Sequence, residues 1–369
     1  MVATNPINVV YDYQIFSKQR YGGISRYFCE LAKGMASNEN FDVKILAGAY
    51  INEYLRTAPS NLGVGIKIPK IQRTGKVIEQ ANILFSKFWL QSYSINILHE
   101  TFYAPQSLAP PNAKKVLTVY DMIFEKLYPD DYVNKLKEMA VCRADHIICI
   151  SESTRDDLLN LISIDPDKVS VIYLGHSPGN GSPEQQLHKQ PLDAPYILYV
   201  GDRYGYKNFS GLLQAYANSE QLNKDFKLVC FGGPPLSSKE LSHAHQLGIT
   251  EGSLLHFSGS DALLKQFYQG ASAFVYPSMY EGFGIPPLEA MSLSCPVICS
   301  NTSSIPEVVG NAAELFDPNN IESIAAAMEK VLYSTECSEH LKSLGHERIK
   351  LFPWEKCVKQ TQEVYLSLL

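Results

Sequence analysis

The chain has no run approaching the roughly 18 apolar residues of a membrane span. Its first residues, MVATNPINVVYDY, show no basic segment followed by an apolar core. A cytoplasmic protein is expected, with association at the inner face of a membrane as an alternative. Charged residues are only 19% of the chain and the net charge is -6, so the basic surface of a dedicated nucleic-acid binder is missing. None of the eight cysteines forms a CxxC pair, and several lie in apolar runs such as IICI and PVICS. They read as small buried side chains in a reducing compartment, not as disulfides or zinc ligands. No G-x-G-x-x-G opens the first βα unit, and no GxxxxGK[ST] occurs, which removes dinucleotide oxidoreductases and P-loop enzymes. The D-x-D at Asp165–Asp167 precedes a strand and reads as a turn, not a metal site.

What is present is a sizeable, ordinary globular composition: 369 residues, 45% hydrophobic. That length suits two to three domains. Apolar runs at 7–11, 41–47, 95–99, 115–120, 146–150 and 169–174 alternate with amphipathic segments. The helical candidates begin at Gly23, cover about 75–92 and 131–142, and begin again after Ser151. Near-continuous apolar strands belong to parallel sheets covered on both faces. A Gly-, Pro- and Ser-rich stretch follows, and the alternation restarts at 196–200, 227–231, 253–257, 273–277, 296–300 and 312–316. The expected organisation is a first domain over 1–175, a linker over 176–194 and a second domain over 195–353, with an amphipathic helix at 354–369. The fold class is α/β, two doubly wound Rossmann-like domains facing across a cleft. In such sheets ligands bind beyond the carboxyl ends of the strands.

The strongest local pattern is VYPSMYEGFGIPPLEAM at 275–291. A strand ends, a glycine loop follows, and Pro286 and Pro287 open a helix. The amides of Gly282, Phe283 and Gly284, with Ile285 at the helix start, can face an anion. Glu281 and Glu289 stand eight apart. A carboxylate accepts two hydrogen bonds side by side, which suits vicinal hydroxyls, whereas Glu281 would repel a diphosphate. An ordinary first-turn carboxylate and a solvated helix glutamate remain the alternative reading.

E-x7-E in this setting closely resembles the retaining glycosyltransferases of family 4, which have the GT-B fold. The resemblance extends over nearly the whole chain: GGISRY at 22–27, ISESTRDDL at 150–158, VIYLG at 171–175, YVGDRYGYKNF at 199–209, FGG at 231–233, PEVVGNAAELFDP at 306–318 and the final FPWEKCVKQTQEVY. It implies a nucleotide-sugar donor held mainly by the second domain, and a closing helix that crosses back onto the first. Glu289 would take the ribose, Glu281 with the Phe283 and Gly284 amides the hexose, and Arg203 and Lys207 the diphosphate. Gly232, Phe257 and Ser258 would read the base through backbone groups. Gly22 and Gly23 would line the cleft opposite the diphosphate. Two cations and a helix N-terminus can stabilise charge on a leaving diphosphate, so neither metal nor cofactor is expected. The donor is expected to be UDP-glucose, with GDP-mannose next, and the acceptor a saccharide or lipid-linked saccharide.

Two departures from the family pattern matter. Asp202 follows Gly201 where many relatives have the arginine, and Tyr120 stands where many have a histidine. Tyr120, with Asp121 beside it, is a candidate for a contact to the transferred sugar; an ordinary strand-end aromatic reads equally well. His99, at another strand end, is a candidate for acceptor or sugar contact; a satisfied structural histidine reads equally well. The rivals to a transferase are a catalytically silent nucleotide-sugar-binding protein and a UDP-sugar epimerase of similar architecture.

One further segment stands out. KIPKIQRTGK at 67–76 gathers Lys67, Lys70, Arg73 and Lys76, and the next residues place Val77, Ile78, Ala81, Leu84, Phe85, Phe88 and Trp89 at helical spacing, with Lys87 among them. The expectation is a helix packing this stripe on its own sheet. A peripheral membrane contact through 67–89 is the alternative.

Overall fold

A computed structural model describes residues 6–71, 73–129, 132–176 and 191–369; residues 177–190, the body of the expected linker, lie outside these. The chain divides into two compact units, Met1–Gly175 with Trp354–Leu369, and His176–Pro353.

In the first unit the strands are β1 (Ile7–Tyr11), β2 (Phe41–Tyr50), β3 (Gly63–Lys67), β4 (Ile97–Glu100), β5 (Lys114–Val119), β6 (His146–Cys149) and β7 (Val169–Val171), in the order β3-β2-β1-β4-β5-β6-β7. In the second they are β8 (Tyr196–Val200), β9 (Lys227–Phe231), β10 (Leu254–Phe257), β11 (Ala273–Tyr276), β12 (Val297–Ser300) and β13 (Glu314–Phe316), in the order β10-β9-β8-β11-β12-β13. All these neighbours pair parallel. Each sheet grows outward from its first strand, returns to the centre and grows the other way. The reversals fall between β1 and β4 and between β8 and β11, where ligand crevices form in open α/β sheets.

The apolar runs mark the strands because both faces are covered: β4, β6, β11 and β12 are buried along their whole length. The strand missed in the sequence is β3. GVGIK has two glycines, sits at the sheet edge and is mostly exposed, so no apolar run announces it.

The helix Gly23–Ala36 buries Tyr27, Phe28, Leu31 and Met35 along one face. Each such side chain contributes roughly 1.5–3 kcal/mol. Its Gly34 allows the C-terminal helix Trp354–Ser367 to approach: a Cβ there would lie 2.5 Å from Val358 Cγ2. The helix Glu152–Leu161 starts as expected, with Ser151 Oγ accepting the Thr154 amide at 3.0 Å. Asp165 accepts the amide of Asp167 at 3.0 Å, the turn foreseen for the D-x-D.

One expectation is met only in part. The helix Gly75–Ser92 forms where expected, but only one side of its apolar stripe packs inward, through residues such as Trp89, and the rest is exposed. Asn82, Ser86 and Leu90 face inward, while Val77, Leu84 and Phe88 are exposed. The cause lies in β2, whose register against β3 shifts between Leu46 and Gly48. The irregularity leaves Ala49 in need of a polar partner, and Asn82 supplies both halves: Oδ1 accepts the Ala49 amide at 2.7 Å and Nδ2 donates to its carbonyl at 3.1 Å. The Asn82 amide is buried and finds its partners in these partly buried backbone groups, which fixes the side of the helix that faces the sheet.

Candidate functional site

The site begins where β8 and β11 end, at the reversal of the second sheet. After β11 the loop 277–284 runs into the helix Ile285–Ser292. Gly284 caps it at φ 111°, a conformation that favours glycine. Pro286 and Pro287 occupy the first turn and carry no N–H, so the backbone donors of this terminus are confined to the loop and Ile285. Residues after β12 fasten the loop. Ser304 Oγ donates to the carbonyls of Glu281 at 2.8 Å and Phe283 at 3.0 Å, and Ser303 Oγ accepts the Glu281 amide at 2.9 Å. The Phe283 ring anchors against Phe352, centroids 5.7 Å apart.

Two expected residues meet here. Lys207, which follows β8, donates from Nζ to Glu281 Oε1 at 2.7 Å. The two loops are joined again by the Met279 amide on the Tyr206 carbonyl at 2.7 Å. Glu281 also lies beside the Tyr276 phenol; burial first, and then this carboxylate, hold that phenol well above its ordinary pKa. Glu289 stands in the helix, half-buried, beside Tyr268, where burial and then the Glu289 charge keep the phenol protonated. The result is one accessible cation, a carboxylate at the head of a glycine loop and a second carboxylate further along the helix.

Arg203 does not join them. Its side chain is only 1% exposed, and its guanidinium donates to Glu240 Oε1 at 2.7 Å, the Pro234 carbonyl at 2.7 Å and the Gly232 carbonyl at 3.4 Å. It clasps the turn after β9 to the end of β8. Burial opposes the Glu240 charge, but hydrogen bonds from Arg203 and Ser237 outweigh it and pull that carboxyl down to about 2. The expected diphosphate role for Arg203 is corrected by this geometry: its position after the strand directs it back into the protein.

The expected base-reading groups are also partly engaged. The Gly232 amide donates to the Phe257 carbonyl at 2.9 Å, and the Gly232 carbonyl takes His256 Nε2 at 3.0 Å. Ser258 is exposed.

In the first unit the expected residues are drawn into structure. His99 is fully buried, with Nδ1 2.6 Å from the Tyr365 hydroxyl and Nε2 2.8 Å from Thr118 Oγ1. Burial, and then His146, push its pKa down to about 3. Its strand, β4, is central and the C-terminal helix covers it, which removes the sugar-contact reading and leaves the structural one. Tyr120 lies buried among rings, 6.2 Å from Tyr27 and 6.4 Å from Phe28. Asp121 Oδ1 accepts the Ile123 amide at 3.1 Å and lies 3.8 Å from the ammonium of Lys137, a buried residue. Tyr120 thus sits in a nest of rings, its hydroxyl buried without a hydrogen-bond partner among the described residues, and Asp121 is engaged at the start of the helix Ile123–Leu127 while remaining partly exposed. Gly22 is extended, with the Gln19 side chain over it, and Gly23 has open space where a Cβ would stand.

The sequence missed a polar cluster one residue further along. Asp12 accepts from the Thr101 amide at 3.0 Å and from Gln14 Nε2 at 2.7 Å, and Glu100 meets Arg143 at 2.5 Å. Burial, then Glu100, raise Asp12 to about 6. A polar residue directly after an apolar run, as in VVYD and ILHET, was the available signal. Ser303 and Ser304 were missed because the small polar run NTSSIP reads as a loop.

Two sheets of this order, each a Rossmann-like unit, with an E-x7-E loop at a sheet reversal, define a GT-B glycosyltransferase. Residues 21–178 match the family described as Glycosyltransferase Family 4, and residues 183–348 match Glycosyl transferases group 1. The chain is 31% identical over 371 residues to O-antigen chain mannosyltransferase B of Escherichia coli, covering 94% of this chain and 96% of that one. It is 30% identical over 223 residues to O-antigen chain mannosyltransferase RfbU of Salmonella typhimurium, covering 59% and 60%. Among solved structures, sucrose-phosphate synthase of Thermosynechococcus elongatus superposes with a TM-score of 0.77 at 19% identity, covering 99% of both chains. The chain belongs to glycosyltransferase family 4 and is a glycosyltransferase of glycan biosynthesis.

Proposed function

We propose that this protein transfers mannose from GDP-mannose to a saccharide or lipid-linked saccharide acceptor, with retention and without a metal. The observation that carries the reading is the Lys207–Glu281 pair at the head of the anchored glycine loop. Lys207 is partly exposed, and exchanging its carboxylate for a phosphate would free Glu281 for hydroxyl groups. Glu281 then takes hexose hydroxyls and Glu289 the ribose diol, since carboxylates accept paired hydrogen bonds from neutral hydroxyls. The earlier preference for UDP-glucose has no support among the relatives; the mannosyltransferases named above favour GDP-mannose.

In the proposed reaction the acceptor oxygen bonds to the anomeric carbon on the face the diphosphate leaves. The C–O bond to the diphosphate breaks, and the acceptor's proton passes to the departing phosphate oxygen. Negative charge grows on that leaving group. A preorganised ammonium and amides hold it more strongly in the transition state than in the ground state, and this difference accelerates the step.

The test is a panel of GDP-mannose, UDP-glucose and UDP-galactose, read by thermal stabilisation and by hydrolysis to free nucleotide and hexose. GDP-mannose is expected to stabilise most and to be hydrolysed slowly. Stabilisation confined to UDP-sugars would overturn the donor. Binding without any hydrolysis or transfer would favour the silent protein, and an epimerised nucleotide sugar would favour the epimerase.

A further inference from the structure

We propose that the helix Gly75–Ser92 and the segment before it form a docking face for an anionic lipid bilayer. The inverted helix is the starting point. Val77, Leu84 and Phe88 are 71%, 68% and 73% exposed, and at spacings of seven and four they share one face. Asn82, Ser86 and Leu90, at spacings of four, occupy the opposite, buried face. The orientation is held by Asn82 on the Ala49 backbone, so the apolar face cannot roll inward without unpairing two partly buried backbone groups and exposing the buried Asn82 amide. Ile66 and Ile71, just before the helix, are exposed as well. Scattered exposed apolar residues are ordinary; a contiguous set on one short segment marks an interaction surface.

Charge selects the occupant. Between residues 66 and 88 the chain has Lys67, Lys70, Arg73, Lys76 and Lys87 against Glu79 alone, in a protein of net charge -6. Lys67 is held by Glu53 at 2.6 Å, but Arg20 and Arg56 share that carboxylate, so the surplus stays positive. Lys76 and Lys87 lie to one side of the apolar face, an arrangement that lets aliphatic stems follow the apolar residues inward while ammonium groups meet lipid phosphates. A second copy of the chain, docking through the same face, would bring two basic bands together, and like charges oppose that contact. An anionic bilayer satisfies both the apolar face and the basic band. No helix among the described residues is long and apolar enough to cross a membrane, so the contact is peripheral.

The experiment is flotation of the full chain with vesicles of phosphatidylglycerol and phosphatidylcholine, and of phosphatidylcholine alone, at low and high salt. No donor or acceptor is present, so the result is separate from that of the transferase assay. The protein is expected to float with the anionic vesicles at low salt, at least tenfold less with the neutral ones, and less again at high salt. Lys70→Glu with Lys76→Glu should lower binding at least tenfold and remove most of its salt dependence. Leu84→Gln with Phe88→Gln should lower it at least tenfold while thermal melting stays as in the parent, since both side chains are exposed. Failure to float with anionic vesicles at low salt overturns the proposal, as does flotation of both variants at the parent level. Concentration-dependent dimerisation that the Leu84→Gln, Phe88→Gln protein loses, with no flotation of the parent, would assign the face to a second copy instead.

Discussion

Arg203 and Lys207 leave the same strand, β8, and each places a cationic nitrogen 2.7 Å from a carboxylate, Glu240 in one case and Glu281 in the other. Distance does not separate the two pairs; surroundings do. The Arg203 side chain is 1% exposed and holds two carbonyls as well, whereas that of Lys207 is 22% exposed and lies at the mouth of the glycine loop. A buried cation with several protein acceptors cannot release them to a ligand without leaving those acceptors unpaired. Lys207 is the more exposed of the two cations, but its partner Glu281 is itself buried, so that pair can open only where an incoming ligand offers Glu281 new hydrogen-bond donors. The first pair is built for stability, the second for exchange.

The largest effect is expected from Lys207→Ala. Loss of one preorganised donor to a developing charge lowers kcat/KM about 100- to 1,000-fold. Stability should fall as well, by about 1–3 kcal/mol, because the buried Glu281 carboxylate is left without its ammonium. Steady-state kinetics beside a melting curve measures both, and an active but unstable variant would dissolve the contrast with Arg203.

Arg203→Met should separate the two effects. Stability falls by about 2–3 kcal/mol, less than for a wholly buried pair because Glu240 is partly exposed, while turnover of the folded protein stays near that of the parent. Urea denaturation with kinetics at matched folded fraction decides this; a stable variant with lost turnover would return Arg203 to the diphosphate. The pair also has a pH signature. The folded Glu240 carboxyl lies at about 2, below its ordinary 4.5, so its contribution is present above pH 4.5 and is lost as pH falls toward 2. The urea midpoint of the parent should drop over that window, and the Arg203→Met protein should lose much of this slope.

Glu289→Ala probes whether the site extends along the helix from the exchangeable pair. Unpairing the ribose hydroxyls should weaken GDP binding by about 1–2 kcal/mol, or some five- to thirtyfold. Calorimetric titration with GDP reads it directly, and unchanged affinity would place the ribose elsewhere. The smallest expected effect is none: excess EDTA should leave transfer intact, since Lys207 and the loop amides are proposed to hold the leaving charge. Activity lost in EDTA and restored by manganese would show that Lys207 does not suffice.

Much of the fold was legible. Covered parallel strands need continuous apolar runs, so β8 and β9 match their runs residue for residue. The edge strand β3 was not, because an exposed Gly-x-Gly segment bears no such mark. Of the candidate site, Glu281 and the glycine loop stand out by type and spacing, whereas Lys207 enters through the family resemblance. Arg203, Tyr120 and Asp121 were located at the right strand ends, but which way a loop side chain turns depends on partners brought from elsewhere, such as the acceptor Glu240 for Arg203 and the ammonium of Lys137 for Asp121.

Local chemistry therefore determined by itself the alternation of strands and helices, the caps at Ser151 and Gly284, and the family motif, because each depends on neighbours in the chain. Tertiary structure alone decided that Lys207 meets Glu281 across 74 residues, that His99 is sealed by Tyr365 across 266, and that Asn82 turns a helix's apolar face outward to serve Ala49. Those outcomes depend on which distant polar groups must be paired once burial removes water, and that demand is not written in any local run of residues.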